Sequence, residues 1–131
     1  MREKVYFGKV RLYGEENART LATICNYAMS LVDLRHLEKA KSLTRRTIPI
    51  SRRVNGEEHP NTFALKCFYA QSIYRDNRAT LDDLREAVTT LEEIDRTARR
   101  VLGGSHPIAV RIDECLRQSR ATLHIHEVIS K

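Results

Sequence analysis

The chain is poor in the residues on which β-structure and tight turns depend. Of its 131 residues only 6% are aromatic, tryptophan is absent, and there are five glycines and three prolines. Sheet proteins draw on aromatic strand residues and on glycine- or proline-rich turns, so this scarcity argues against a sandwich or barrel. No apolar run reaches the ~18 residues of a membrane-spanning helix, and the polar start predicts no cleaved secretory signal.

Cysteine is also scarce, with only Cys25, Cys67 and Cys115. An odd number of widely spaced cysteines matches neither a zinc knuckle nor a dense disulfide framework. Buried cysteine usually acts as a small apolar residue, and thiols stay reduced in cytosol-like compartments. We therefore expect three buried, reduced thiols and a cytoplasmic location.

The residues that are abundant favour helix, and they carry excess positive charge. Leucine, alanine, arginine and glutamate are common, and all four are strong helix formers. The net charge of +6 is carried by 17 arginines against 6 lysines. Such a balance favours acidic peptides, nucleic acid or anionic membrane surfaces as partners. The alternative is that arginines only solvate helix faces and pair with neighbouring acidic residues.

A seven-residue phrase recurs three times, starting at Gly14, Gly56 and Gly103, at intervals of 42 and 47 residues. Its copies read Gly-Glu-Glu-Asn-Ala-Arg-Thr, Gly-Glu-Glu-His-Pro-Asn-Thr and Gly-Gly-Ser-His-Pro-Ile-Ala. Other markers keep the 42-residue interval as far as Ala70, so the extra residues lie between Ala70 and Leu84. Length variation confined to one connection is typical of repeat proteins.

Each phrase predicts the end of one helix and the start of the next. Glycine supplies the left-handed residue that closes a helix, and Pro60 and Pro107 suit a first helical turn. Within the second repeat, Thr80 and Asp83 resemble a capping box. Pro49 falls inside a predicted helix and should kink or shorten it. The coarse map has six antiparallel helices, at roughly 2–12, 18–33, 37–54, 61–75, 81–102 and 108–128.

The junction phrase, the period and an alanine at one place in each helix resemble tetratricopeptide repeats of the kinesin light chain type. The alanines are Ala28 and Ala70 in first helices and Ala40 and Ala87 in second helices. The resemblance implies an all-α fold, a right-handed superhelix of antiparallel helix pairs. We predict a partial repeat at 1–14, full repeats at 15–56 and 57–103, and a terminal helix within 104–131.

The resemblance also implies a groove, lined by the first helices, that holds peptide segments of a partner protein. Many relatives grip the peptide backbone with an asparagine at the place that Cys25 and Cys67 occupy here, so that grip is missing. The positive charge makes an acidic segment the expected ligand. The predicted groove residues are Asn26, Met29, Gln71, Tyr74, Arg75, Arg111 and Gln118.

The sequence shows no catalytic constellation and no cofactor or metal site. His59 and His106 belong to the junction phrase, where helix capping is the better interpretation. His124 and His126 stand two residues apart on a helix and therefore point to different faces, which does not suit metal binding. No nucleophile has a base beside it, so we predict a non-catalytic scaffold or adaptor.

Arginine doublets in the second helices provide an alternative function. If aligned they form a basic ridge, through which the chain would dock as a structural subunit on a larger protein or ribonucleoprotein assembly. Interleaved aromatic residues are lacking, so nucleic acid is not the favoured partner. The first helix reads as the second half of a repeat, which predicts an excised piece of a longer array or self-association through the end faces. The ridge residues are Arg45, Arg46, Arg52, Arg53, Arg99 and Arg100.

Overall fold

A computed structural model describes residues 17–130, and these form five α-helices and no strand. The predicted all-α fold is confirmed, and the helix ends lie within one residue of the predicted ones. The predicted helix at 2–12, the partial repeat and the start of the first junction lie outside the described residues. The helices are α1 (Ala18–Asp33), α2 (Leu37–Asn55), α3 (Pro60–Tyr74), α4 (Leu81–Leu102) and α5 (Pro107–Ile129).

The glycine-to-proline junctions end one helix and start the next, as the sequence predicts. Gly56 and Gly103 follow α2 and α4 with φ angles of 99° and 88°, which are strained for any residue with a side chain. The His59 ring nitrogen Nδ1 accepts a hydrogen bond from the Asn61 amide at 3.0 Å, and His106 caps α5 in the same way. The assignment of both histidines to helix capping is thus confirmed.

The start of α4 uses a second kind of cap. The Thr80 hydroxyl accepts from the Asp83 amide at 3.1 Å, and the Asp83 carboxylate accepts from the Thr80 amide at 3.0 Å. The predicted capping box is therefore present. Because two amides at the helix end gain partners, α4 begins sharply after the connection that carries the five extra residues.

Of the two effects expected from Pro49, a kink or a shorter helix, the shortening does not occur. The α2 helix passes through Pro49 and continues to Asn55. Pro49 itself lies on an exposed side of α2. Water can also compensate there for the backbone hydrogen bond that proline cannot donate.

The helices stack as pairs. Each helix packs on the next along the chain, and α1 and α5 each also pack on α3. Within residues 17–130 the backbones of α2 and α4 do not approach each other closely. The four alanines of the repeat pattern are completely buried, which allows close helix approach. Two buried clusters, one around α1 and α2 and the other around α4 and α5, meet at α3. The chain is therefore a helical repeat solenoid with a continuous core.

Candidate functional site

The first helices α1, α3 and α5 form one layer, and the predicted groove residues lie on them, except Arg75, which directly follows α3. In α3, which has a neighbour on both sides, Gln71 and Tyr74 are only 1% and 6% exposed. Asn26 on α1 and Gln118 on α5 are exposed. In the predicted groove, the α3 residues would therefore form the floor, and α1 and α5 would supply the walls.

Arg111 on α5 joins all three helices of this layer. Its Nη2 and Nε atoms donate to Gln71 Oε1 at 3.0 and 3.2 Å, and its guanidinium lies 4.9 Å from the centre of the Phe68 ring. Nη2 also lies 3.4 Å from an Asp33 carboxylate oxygen on α1. Because its position is held by a ring, an amide and a carboxylate, this arginine is preorganised within the groove.

The Arg111 side chain is held in place without being hidden. It remains 27% exposed, and the contact to Asp33, which is itself 55% exposed, is the longest of its polar contacts. An exposed ion pair at this distance contributes little, typically below ~1 kcal/mol. The guanidinium therefore has hydrogen-bonding capacity to offer to an incoming anion.

A second link crosses the groove floor. The Tyr74 hydroxyl donates to Gln118 Oε1 at 2.8 Å, which connects α3 with α5. Burial raises the pKa of Tyr74, and the neighbouring Cys115 raises it further, while Arg75 opposes the shift. Tyr74 therefore stays a neutral hydrogen-bond donor, and Arg75 adds a second cation at the same end of the groove.

The remaining two predicted groove residues lie apart from this network. Asn26 is exposed one turn before Ser30, whose hydroxyl donates to the Asn26 carbonyl. Met29 is partly buried and packs against the core cluster of α1 and α2. These residues line the α1 wall, and Met29 contributes to the core as well.

The predicted basic ridge is exposed on α2 and α4, but much of its charge is paired. Arg52 pairs with Glu57 at 2.9 Å, and Arg100 pairs with Glu58 at 2.8 Å. Arg52 and Arg100 line one cleft of about 400 Å³ between the second helices, together with three glutamates. Mixed charge in this cleft reduces its attraction for a polyanion.

The other ridge arginines are not part of the lining of this cleft. Arg99 turns towards α5, where it pairs with Asp113 as well as with Asp95 of its own helix. Arg45 lies over the Tyr69 ring, 5.9 Å from its centre. Arg46 and Arg53 are exposed on α2. Only Arg52 and Arg100 come together in the cleft.

Two features of the groove are not predicted by the sequence. The first is Phe68 as the platform for Arg111, and the second is the proximity of Cys67 and Cys115, whose sulfur atoms are 3.7 Å apart. Their separation of 48 positions in the sequence differs by only one from the second repeat interval of 47. That near-coincidence was the available signal, because residues one repeat apart lie on adjacent first helices.

Across residues 17–130 no three His, Cys, Asp or Glu side chains gather in a group that could hold a metal ion. Over the same range no helix has the length and apolar character needed to cross a membrane. His126 bonds the Thr122 carbonyl of its own helix at 2.9 Å, and His124 is exposed.

Comparison with known families gives a match to part of the chain. Residues 20–61, which cover most of α1, all of α2 and the junction to α3, match the tetratricopeptide repeat family. This match supports a tetratricopeptide repeat protein, and such repeats generally mediate protein–protein interaction and are typically non-catalytic. Neither the curated proteins nor the solved structures contain a significant match to the chain.

Proposed function

We propose that the chain is a non-catalytic adaptor whose groove, built by α1, α3 and α5, binds an acidic segment of a partner protein. The observation that carries this proposal is the Arg111 guanidinium, supported on the Phe68 ring and by Gln71 yet partly open to solvent. A carboxylate matches the planar donor edge of arginine, and a preorganised arginine loses little entropy on binding.

The acidic ligand would take over the contact that Asp33 now makes. Asp33 lies 3.4 Å from Arg111, whereas a well-placed carboxylate approaches guanidinium nitrogens at roughly 2.7–2.9 Å. Arg75 places a second positive charge near the same floor, and the chain carries a net charge of +6. Both increase the rate of encounter with an acidic segment at low salt.

The groove walls supply polar groups for a peptide backbone. Exposed Asn26 and Gln118 stand on opposite sides of the α3 floor and can donate to and accept from backbone amides. Amide side chains of this kind substitute for the backbone-gripping asparagine that Cys25 and Cys67 replace. The junction phrase supports assignment to the kinesin light chain type of repeat, and the buried thiols support a cytoplasmic location.

Fluorescence anisotropy with a labelled glutamate-rich peptide tests the proposal, with the glutamine version of the same peptide as the neutral reference. Arg111→Met keeps the apolar stem but removes the charge, and it should weaken binding about tenfold, the loss of one charge-assisted contact. Arg100→Met makes the same change in the cleft between α2 and α4, and it should leave affinity within about twofold. Equal binding of both peptides, or equal losses in both variants, would rule out this groove as the acidic site.

The alternative function, docking of the basic ridge on a larger protein or ribonucleoprotein assembly, is supported by one observation. Arg52 and Arg100 line the same cleft although they belong to different repeats. Reversing the charge of Arg52, Arg53, Arg99 and Arg100 together should abolish polyanion binding if this alternative holds. Polyanion binding that survives these changes would exclude it.

Self-association through an end face stays a prediction. Ile125, Val128 and Ile129 near the end of α5 are 55%, 58% and 77% exposed, which supplies apolar surface for it. Light scattering of the purified chain would detect a dimer, and a monomer across a wide concentration range would contradict it.

A further inference from the structure

Two of the three thiols face each other beneath the groove. Cys67 on α3 and Cys115 on α5 are 1% and 2% exposed, and their sulfur atoms are 3.7 Å apart. Cys25 belongs to a different environment, because its thiol donates to the Asn61 carbonyl at 3.6 Å. Only the first two thiols are thus in contact.

We propose that Cys67 and Cys115 form a reversible intrachain disulfide that joins α3 to α5. A disulfide sulfur pair is separated by about 2.05 Å, so the two atoms must approach each other by less than ~2 Å in total. The helices that carry them already pack together, so side-chain rotation and a small helix shift can supply this movement. The inference does not depend on what the groove binds.

The surroundings of Cys115 favour its ionised, nucleophilic form. The hydrogen bond that the Cys67 thiol donates to the Cys115 sulfur lowers the pKa of Cys115, although burial opposes the shift. The positive charges of Arg111 and Arg75 act in the same direction. The same interaction, together with burial, raises the pKa of Cys67. The pair is therefore divided into one nucleophile and one protonated donor.

Hydrogen peroxide, which is close to water in size, is the oxidant that suits so buried a pair. The Cys115 thiolate attacks one peroxide oxygen, the O–O bond breaks, and the leaving hydroxide takes up a proton to become water. Cys67 then attacks the sulfur of the resulting sulfenic acid. The S–O bond breaks, the S–S bond forms, and the second hydroxide leaves as water with the Cys67 proton. Two thiols are oxidised by two electrons, and one peroxide is reduced to two waters.

The disulfide would connect positions 48 residues apart and so restrict the unfolded chain strongly. We expect the melting temperature to rise on the order of 10 °C on oxidation and to return when dithiothreitol is added. A thiol–disulfide pair of this kind would make the rigidity of the α3–α5 contact dependent on the redox state of the surroundings.

The experiment treats the reduced full-length chain, in native buffer, with equimolar hydrogen peroxide. Remaining thiols are then blocked with a maleimide reagent, and proteolytic fragments are identified by mass spectrometry. We expect a fragment pair joined through Cys67 and Cys115, with the Cys25 thiol still available to the reagent. Cys67→Ala or Cys115→Ala should abolish the cross-link, and the matched Cys25→Ala should leave it intact.

Three results would overturn the inference. The first is three free thiols in the wild-type chain after a peroxide dose that oxidises an exposed cysteine peptide. The second is a cross-link that involves Cys25 or forms between chains. The third is a Cys67–Cys115 cross-link that appears only in urea. Because the mapping is done on the wild-type chain, misfolding of a variant cannot obscure the outcome.

Discussion

The Thr62 hydroxyl holds the junction between α2 and α3 together, and its removal should destabilise the whole array. The hydroxyl is buried and donates to the Gly56 carbonyl at 2.8 Å. With its own proton engaged there, it accepts from the Ser51 hydroxyl at 2.7 Å. Thr62→Val keeps the shape of the side chain and its β-branching, so the substitution removes these two hydrogen bonds and little else.

The expected cost follows from the two groups that lose a hydrogen bond. The completely buried Ser51 hydroxyl still accepts from Asn55 at 3.4 Å, but its proton loses its acceptor, and an unsatisfied buried donor costs about 1–3 kcal/mol. Gly56 is partly exposed, so water can replace most of the bond to its carbonyl. We expect Thr62→Val to lower the free energy of unfolding by about 2 kcal/mol. The entropy of unfolding is about 2.1 cal/mol/K per residue, so this loss of free energy lowers the melting temperature by roughly 7 °C.

Urea unfolding followed by circular dichroism measures this loss. The matched control is Thr97→Val, because the Thr97 hydroxyl is partly exposed and donates only to the Glu93 carbonyl of its own helix. That control should cost under about 0.5 kcal/mol. Adding Ser51→Ala to Thr62→Val removes the hydroxyl whose proton has lost its acceptor. The double variant should therefore lose less free energy of unfolding than the sum of the single losses. A Thr62→Val loss no larger than the control would refute this reasoning.

Three further predictions concern a cap, a helix crossing and a titration. Thr80→Ala removes half of the capping box of α4 and should cost about 1 kcal/mol in urea unfolding; an unchanged midpoint would contradict it. Ala70→Leu forces a large side chain into a completely buried helix contact and should cost at least 1–3 kcal/mol by the same assay, so tolerance would argue against close stacking there. Burial raises the pKa of Cys25 from 9.0 to about 12, so its contribution to stability is complete below pH 9 and is lost as pH rises from about 9 through 12. Between pH 8 and pH 10 the wild type should lose about 1 kcal/mol more stability than Cys25→Ala, whereas parallel curves would contradict the shift.

The helix pairs were predictable because their signals are local. Gly56 and Gly103, each followed by a proline four residues later, indicate where one helix ends and the next begins. No knowledge of distant contacts is needed to interpret this pattern. The capping box of Thr80 and Asp83 is equally local. Pro49 shows the limit of such rules, because exposure of its side of the helix allows α2 to continue.

For the groove, the sequence predicts on which helix each residue lies but not which side chains contact one another. Repeat spacing placed Gln71 and Arg111 on the first helices, but the bond between them joins residues 40 positions apart. This bond depends on the orientation of each helix about its own axis, which a repeat pattern does not specify. The burial of Gln71 has the same origin, because among residues 17–130 α3 has neighbours on both sides whereas α1 and α5 have not.

The location of the bound acidic segment can be observed by nuclear magnetic resonance, with an isotope-labelled chain titrated by the glutamate-rich peptide. We expect the largest shifts in the side-chain signals of Asn26 and Gln118 and in the guanidinium signal of Arg111. Shifts confined to the cleft around Arg52 and Arg100, with the groove signals unchanged, would contradict a peptide-binding groove on α1, α3 and α5.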